Sequence, residues 1–228
     1  MTVSHTRERI DGRTARWEGQ RQRRRDEFVE AALVAIAEHG ADVSTQQIAE
    51  RAGVARTRLY KYFSDAGDLQ RAVAERAIQQ MIETLEPVWS PQGSPMDMIT
   101  AGAGAYVGWL ATHQELFRYL SRHSLLDGSD NAYTLVDLQT AVGHHLTVLF
   151  ADYLSAADID TRAAELLAFG VAGFVYTATL RWLSTPGGLS QDELIAKLAR
   201  WIWSMIDESL QGYGIHLDPH APLDLPAG

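Results

Sequence analysis

Between positions 56 and 62 the chain reads RTRLYKY, and six of these seven residues carry side-chain hydrogen-bond donors. Arg56 and Arg58 present planar forks suited to guanine, Thr57 offers a hydroxyl and a methyl to a base edge, and Tyr60, Lys61 and Tyr62 suit phosphate oxygens. This is recognition chemistry for a nucleic acid. The setting sharpens it, because the whole chain of 228 residues has a formal net charge of −9. Through residue 63 there are twelve Lys and Arg against nine Asp and Glu, and beyond it eight against twenty. Residues 1–25 alone hold eight arginines, opposed only by Glu8, Asp11 and Glu18. Charge divided in this way marks a nucleic-acid-binding end.

The elements that must position these groups follow from periodicity. Phe28, Val29, Ala32, Leu33, Ala35 and Ile36 recur at helical spacing, which predicts a helix over 21–39, with Gly40 at its C-terminal stop. Ser44 and Gln47 have capping-box spacing and open a short second helix ending at Ala52. Gly53 supplies the positive φ of a tight turn, and residues 56–62 form a third helix with Leu59 and Phe63 turned inward. Helix, glycine turn and helix make a helix-turn-helix.

The stretch IAERAGVARTRLYKYFSDAGDL, positions 48–69, resembles the N-terminal signature of the TetR family of bacterial transcriptional regulators, in the spacing of IA, AGV, LY, YF and the following Leu. The resemblance covers about residues 21–75. It implies base reading by Arg56, Thr57 and Arg58 and backbone contacts by Thr45, Tyr60, Lys61 and Tyr62. Two positions depart from the family pattern. Ala55 stands where the family has a capping Ser, and Asp65-Ala66-Gly67 replaces the segment whose Lys commonly touches phosphate. The arginines at 7, 9, 13, 16, 21, 23, 24 and 25, in and just after a basic, flexible arm over 1–20, are the candidates to restore that attraction; a solvated tail with no DNA contact is the alternative.

Downstream the pattern is all-α, with no sustained strand alternation. Leu69–Leu85 reads as a long helix with Val73, Ala77, Met81 and Leu85 on one stripe, ending at Pro87. Further helices are expected from Ser94-Pro95 to about His113, over 115–125, over 133–154, from a capping Asp160 to Leu183, and from a second capping box at Ser190 and Glu193 to about Gly212. The expected organisation is an arm (1–20), a helix-turn-helix domain (21–68), a helical effector-binding and dimerisation domain (69–212) and an irregular tail (213–228).

The resemblance implies a double-stranded DNA operator, a small-molecule effector and a homodimer built through the last two helices, whose small residues Ala168, Gly170, Ala172 and Gly173 permit close approach. The effector pocket is expected within 94–183. Its candidate lining is Tyr106, Trp109, Leu110, His113, Phe117, Tyr119, Leu120, His123, His145, Leu149, Phe169, Phe174 and Trp182, a mostly apolar set suited to an apolar or aromatic ligand. No cofactor is expected. No metal site is expected either, since the adjacent His144 and His145 point apart on a helix. Residues 102–108, GAGAYVG, imitate a phosphate loop but have Val107 in place of the third Gly and no strand before them, so no enzyme is expected. The longest uncharged apolar run, 166–180, is short for a bilayer span, and no apolar stretch backs the N-terminal arginines as a secretory signal would. A cytoplasmic regulator, typically a repressor, is the expectation; a DNA-architectural protein without an effector is the alternative.

Overall fold

Helices α1 to α9 carry the described residues, and no strand occurs among them. The computed structural model describes residues 12–88, 93–126, 135–156, 160–185 and 187–222; the side chains of 12–16, 123–126, 135–138 and 156 lie outside that description. The chain divides into two units, Met1–Val73 and Ala74–Gly228.

In the first unit α1 spans Gly12–His39, α2 Thr45–Arg51 and α3 Arg56–Leu59, and α4 (Ala66–Leu85) begins here. The start of α1 corrects the expected flexible arm. The chain is helical from Gly12, and residues 1–11 lie outside the described ones. Apolar periodicity misses such a start because the extension is solvated, with residues 17–20 exposed. Gly12 and Gly19 are poor helix formers, but Arg13, Ala15, Arg16, Glu18 and Gln20 favour a helix, and just beyond them Gln22 donates to Asp26 one turn on (2.8 Å).

The Ser44 capping box forms, with Gln47 N–H donating to Ser44 Oγ and Ser44 N–H donating to Gln47 Oε1. Gly53 takes φ 68°, and the Val54 amide then donates to Ala49 O at 2.9 Å, closing the turn. The third helix is shorter than expected. After Leu59 the amides of Lys61 and Tyr62 bond back three residues, to Arg58 O and Leu59 O, so 60–62 are a tightened turn. Ile48, Leu59, Phe63 and Leu69 are at most 1% exposed and form the centre of this unit.

Val73, which ends the first unit, is buried on α4; the second unit holds the rest of that helix, with Ala77, Met81 and Leu85 buried on the same stripe, and then α5 (Pro95–Thr112), α6 (Gln114–Leu126), α7 (Leu135–Ala156), α8 (Ala164–Leu183) and α9 (Gln191–Gln211). Ser94 and Ser190 each complete a capping box, with Asp97 and Glu193. Asp160 caps a 3₁₀ turn, Thr161–Ala163, that leads into α8. Gly143 on α7 lets α8 approach closely: a Cβ there would lie 3.0 Å from the Phe169 ring. Beyond α9 the residues to 222 are irregular but not loose. Ile215 N–H returns to Leu210 O, and Met96 N–H, at the start of α5, donates to Pro219 O at 2.9 Å.

Candidate functional site

The first unit exposes Arg56, Thr57, Arg58 and Lys61 on α3 and the turn after it, while Thr45, Tyr60 and Tyr62 are half-buried. Arg56 Nη2 reaches Tyr60 Oη at 3.4 Å, and its guanidinium lies 5.5 Å from the centre of that ring. The bond from Arg56, and a further one with Thr45, hold the Tyr60 phenol below its ordinary pKa. Elsewhere arginines meet carboxylates: Arg24 pairs with Glu27, Arg51 with Glu38 and Arg76 with Glu83. Among the described residues neither Arg58 nor Lys61 has a carboxylate partner, and Arg56 touches only Tyr60. Cations left uncompensated side by side create a positive face that attracts phosphate.

This face is held from behind by Arg25. Its Nη2 bonds Asp68 Oδ1 at 2.8 Å, its Nη1 bonds Asp68 Oδ2 at 3.1 Å and Tyr62 O at 2.6 Å, and its guanidinium sits 4.4 Å from the Phe63 ring centre. One side chain thus ties α1, the turn after α3 and the start of α4. The bonds from Arg25, with help from the Ser64 amide, pull the Asp68 carboxyl down to about 2. Tyr62 packs on Phe28, ring centres 5.3 Å apart, so its ring braces α1 as well as bordering the exposed face. Because Arg24 and Arg25 are engaged in ion pairs, those two are not spare cations for a DNA-seeking arm.

The second unit contains a cavity of about 650 Å³ lined from α4, α5, α7, α8, α9 and the segment after α9. Met98, Ile99 and Tyr106 line it from α5, Leu146, Leu149, Phe150 and Tyr153 from α7, Leu167 and Val171 from α8, and Ile202, Trp203 and Ile206 from α9. Tyr213, Ile215, Leu217 and Pro222 close a further side. No charged side chain is among the described lining residues.

A family model of bacterial regulatory proteins, tetR family, matches residues 28–73. An uncharacterised HTH-type transcriptional regulator of Mycobacterium tuberculosis is 31% identical over 199 residues, covering 87% of this chain and 83% of that protein. The chain belongs to the TetR family. It is accordingly a DNA-binding transcriptional regulator and not an enzyme. Solved structures agree in fold. A TetR-family regulator from Streptomyces coelicolor superposes with a TM-score of 0.66 at 23% identity, covering 84% of this chain and 83% of that one. FadR from Bacillus subtilis, solved in complex with stearoyl-CoA, superposes with a TM-score of 0.59 at 19% identity, covering 83% and 98%.

Of the effector-site candidates in this TetR-family chain, Tyr106 and Leu149 line the cavity. Trp109, Leu110 and Tyr119 are buried elsewhere in the packing, and Leu120 is half-buried away from it. His113 stacks on Trp109 at 4.5 Å with its Nδ1 2.8 Å from Trp109 O, a carbonyl that calls for the proton on that nitrogen. Phe117 meets Tyr176, Phe174 meets Trp201, and Trp182 Nε1 donates to Leu189 O. His145 is exposed, Phe169 faces His144, and the His123 side chain lies outside the described residues. Choosing large aromatics favoured residues that fill space between helices. The cavity wall was signalled instead by Leu146, Leu149, Phe150 and Tyr153 at i, i+3, i+4 and i+7, and by Ile215 and Leu217 in an otherwise polar tail.

Proposed function

We propose that the protein is a cytoplasmic repressor that binds a palindromic operator as a homodimer and leaves it when a small, largely apolar molecule fills the cavity. The single observation that carries this reading is the apolar space of about 650 Å³, within the size range of small-molecule sites. The stearoyl chain of the stearoyl-CoA bound by FadR supports a long apolar portion in a ligand for a fold of this kind. On DNA, Arg56, Thr57 and Arg58 read bases, while Thr45, Tyr60, Lys61 and Tyr62 hold the backbone. Helix α4 runs from Asp68, bound to Arg25, to Leu85 in the cavity wall, which suits it to carry a change of ligand state toward the DNA-reading face.

Dimerisation through α8 and α9 is supported by Leu166, 79% exposed, and Trp201, 49% exposed. Gly170, one turn on from Leu166 along α8, has open space where its Cβ would be. One of the described helical stretches, Thr161–Leu183, is long and apolar enough to cross a membrane by length and composition; a second copy is the covering proposed for it here.

The test is a titration of the purified protein on DNA from upstream of its own gene. An inverted repeat bound by two chains, at least a thousandfold tighter than random DNA, is expected. Equal affinity for both DNAs would end this reading, as would a single chain on the operator.

A further inference from the structure

Tyr106 is 5% exposed, lines the cavity, and makes no hydrogen bond with any described residue. A buried hydroxyl without a partner is rare in a folded protein and points to a group that arrives with a ligand. Burial, and then the neighbouring Tyr176, push the Tyr106 phenol above its ordinary range, so it stays protonated and able to donate. A second cavity hydroxyl, Tyr153, reaches only Met98 Sδ at 3.9 Å, a weak acceptor. Trp203, Ser209 and Tyr213 add further donors to the lining, Ser209 already donating to Met205 O, and the described wall sets no Lys, Arg or His to neutralise an anion and no Asp or Glu to neutralise a cation.

We infer that the cavity selects an uncharged, hydrocarbon-rich molecule carrying a carbonyl oxygen, such as a ketone, ester or lactone, which accepts a hydrogen bond from Tyr106. The inference rests on the ligand-responsive reading above and narrows it to a chemical class. A carbonyl satisfies the phenol without bringing in charge. An ionised carboxylate at the same place would be desolvated with no cation in the described wall beside it, and an ammonium would be desolvated with no carboxylate there to offset its charge. A pure hydrocarbon would fill the space and leave the hydroxyl unpaired.

The test uses four probes of matched length, undecane, 2-undecanone, decanoate and decylamine, titrated calorimetrically at about pH 8 into the full chain and into Tyr106→Phe and Tyr153→Phe. The ketone should bind about tenfold tighter than undecane and tighter still than either ion. Tyr106→Phe should erase the margin over undecane and leave undecane itself bound as before, which also shows that the variant is folded. Tyr153→Phe should reduce the margin by less. Decanoate or decylamine binding as tightly as the ketone would overturn the inference, as would a Tyr106→Phe protein that keeps the full margin. Binding of undecane alone would overturn it too, while leaving the cavity a ligand site. Failure of the ligand-responsive reading gives a different record: the ketone binds through Tyr106 but operator affinity does not change.

Discussion

The two units solve opposite problems. The first, ending at Val73, surrounds a small, closed centre with one long helix and two short ones, and Arg25 clamps the turn that carries Tyr62. The second packs several helices of 13 to 22 residues, two of them opened by capping boxes, yet leaves about 650 Å³ unfilled. Reading a groove needs side chains on a frame that does not give, so the first unit closes its interior and places its uncompensated charge outside. Sensing a molecule, as proposed for the second, needs room, and that unit keeps a space that close-packed interiors otherwise exclude.

The largest effect should come from breaking the clamp. Arg25→Ala leaves Asp68 with the Ser64 amide and, as its one remaining described cation, Arg71 at 3.9 Å, and should cost about 2–3 kcal/mol in urea denaturation, with operator affinity falling in parallel. The pair also sets an acid limit. Asp68 ionises at about 2 in the folded chain, below the ordinary carboxylate value near 4. Its stabilisation is therefore complete above about pH 4 and is lost as pH falls toward 2, amounting to about 2 kcal/mol. Asp68→Asn should remove that part of the slope; an unchanged acid profile would show the clamp to be idle.

On the exposed face, Arg56→Ala and Arg58→Ala should each lose about 1–3 kcal/mol of preference for operator over random DNA, while Lys61→Ala weakens both alike. Equal losses on the two DNAs for the arginine variants would move those residues from bases to backbone. In the second unit, Gly102 lines the cavity with nothing within 4 Å of where its Cβ would stand. Gly102→Leu should stabilise the fold by about 1–2 kcal/mol by filling the space and replacing a helical Gly. The same change should abolish ligand binding, and destabilisation on denaturation would mean the space is already committed to packing. The smallest change lies at Ala55, which starts α3 with no side-chain cap. Ala55→Ser should add about 0.5–1 kcal/mol to the stability of the first unit, read by thermal denaturation.

Legibility in the sequence follows the same division. The helix-turn-helix could be read because its features are local: a capping box at Ser44 and Gln47, a Gly at the turn, and Leu59 and Phe63 four apart. Even there, the clamp joins residues 43 positions apart, and no local pattern announces Arg25 meeting Asp68. The helices of the second unit were also legible through Ser94, Asp160 and Ser190. Its cavity was not, because a void is a property of how helix faces meet. Trp109 and Phe174 look like ligand groups in sequence and serve as packing, whereas Ile215 and Leu217 look like loop residues and serve as wall.

The wall formed by residues 213–222 has a consequence for the timing of synthesis. A ribosome makes the DNA-reading unit first, and at about 5–20 residues per second some 140 further residues pass before Tyr213, roughly 7–28 s. Until Pro219 can accept the Met96 amide, the nascent chain carries a finished reading head and an open-sided chamber. Under the proposed function, each new molecule therefore completes its ligand chamber last, after the DNA-reading unit has already been made.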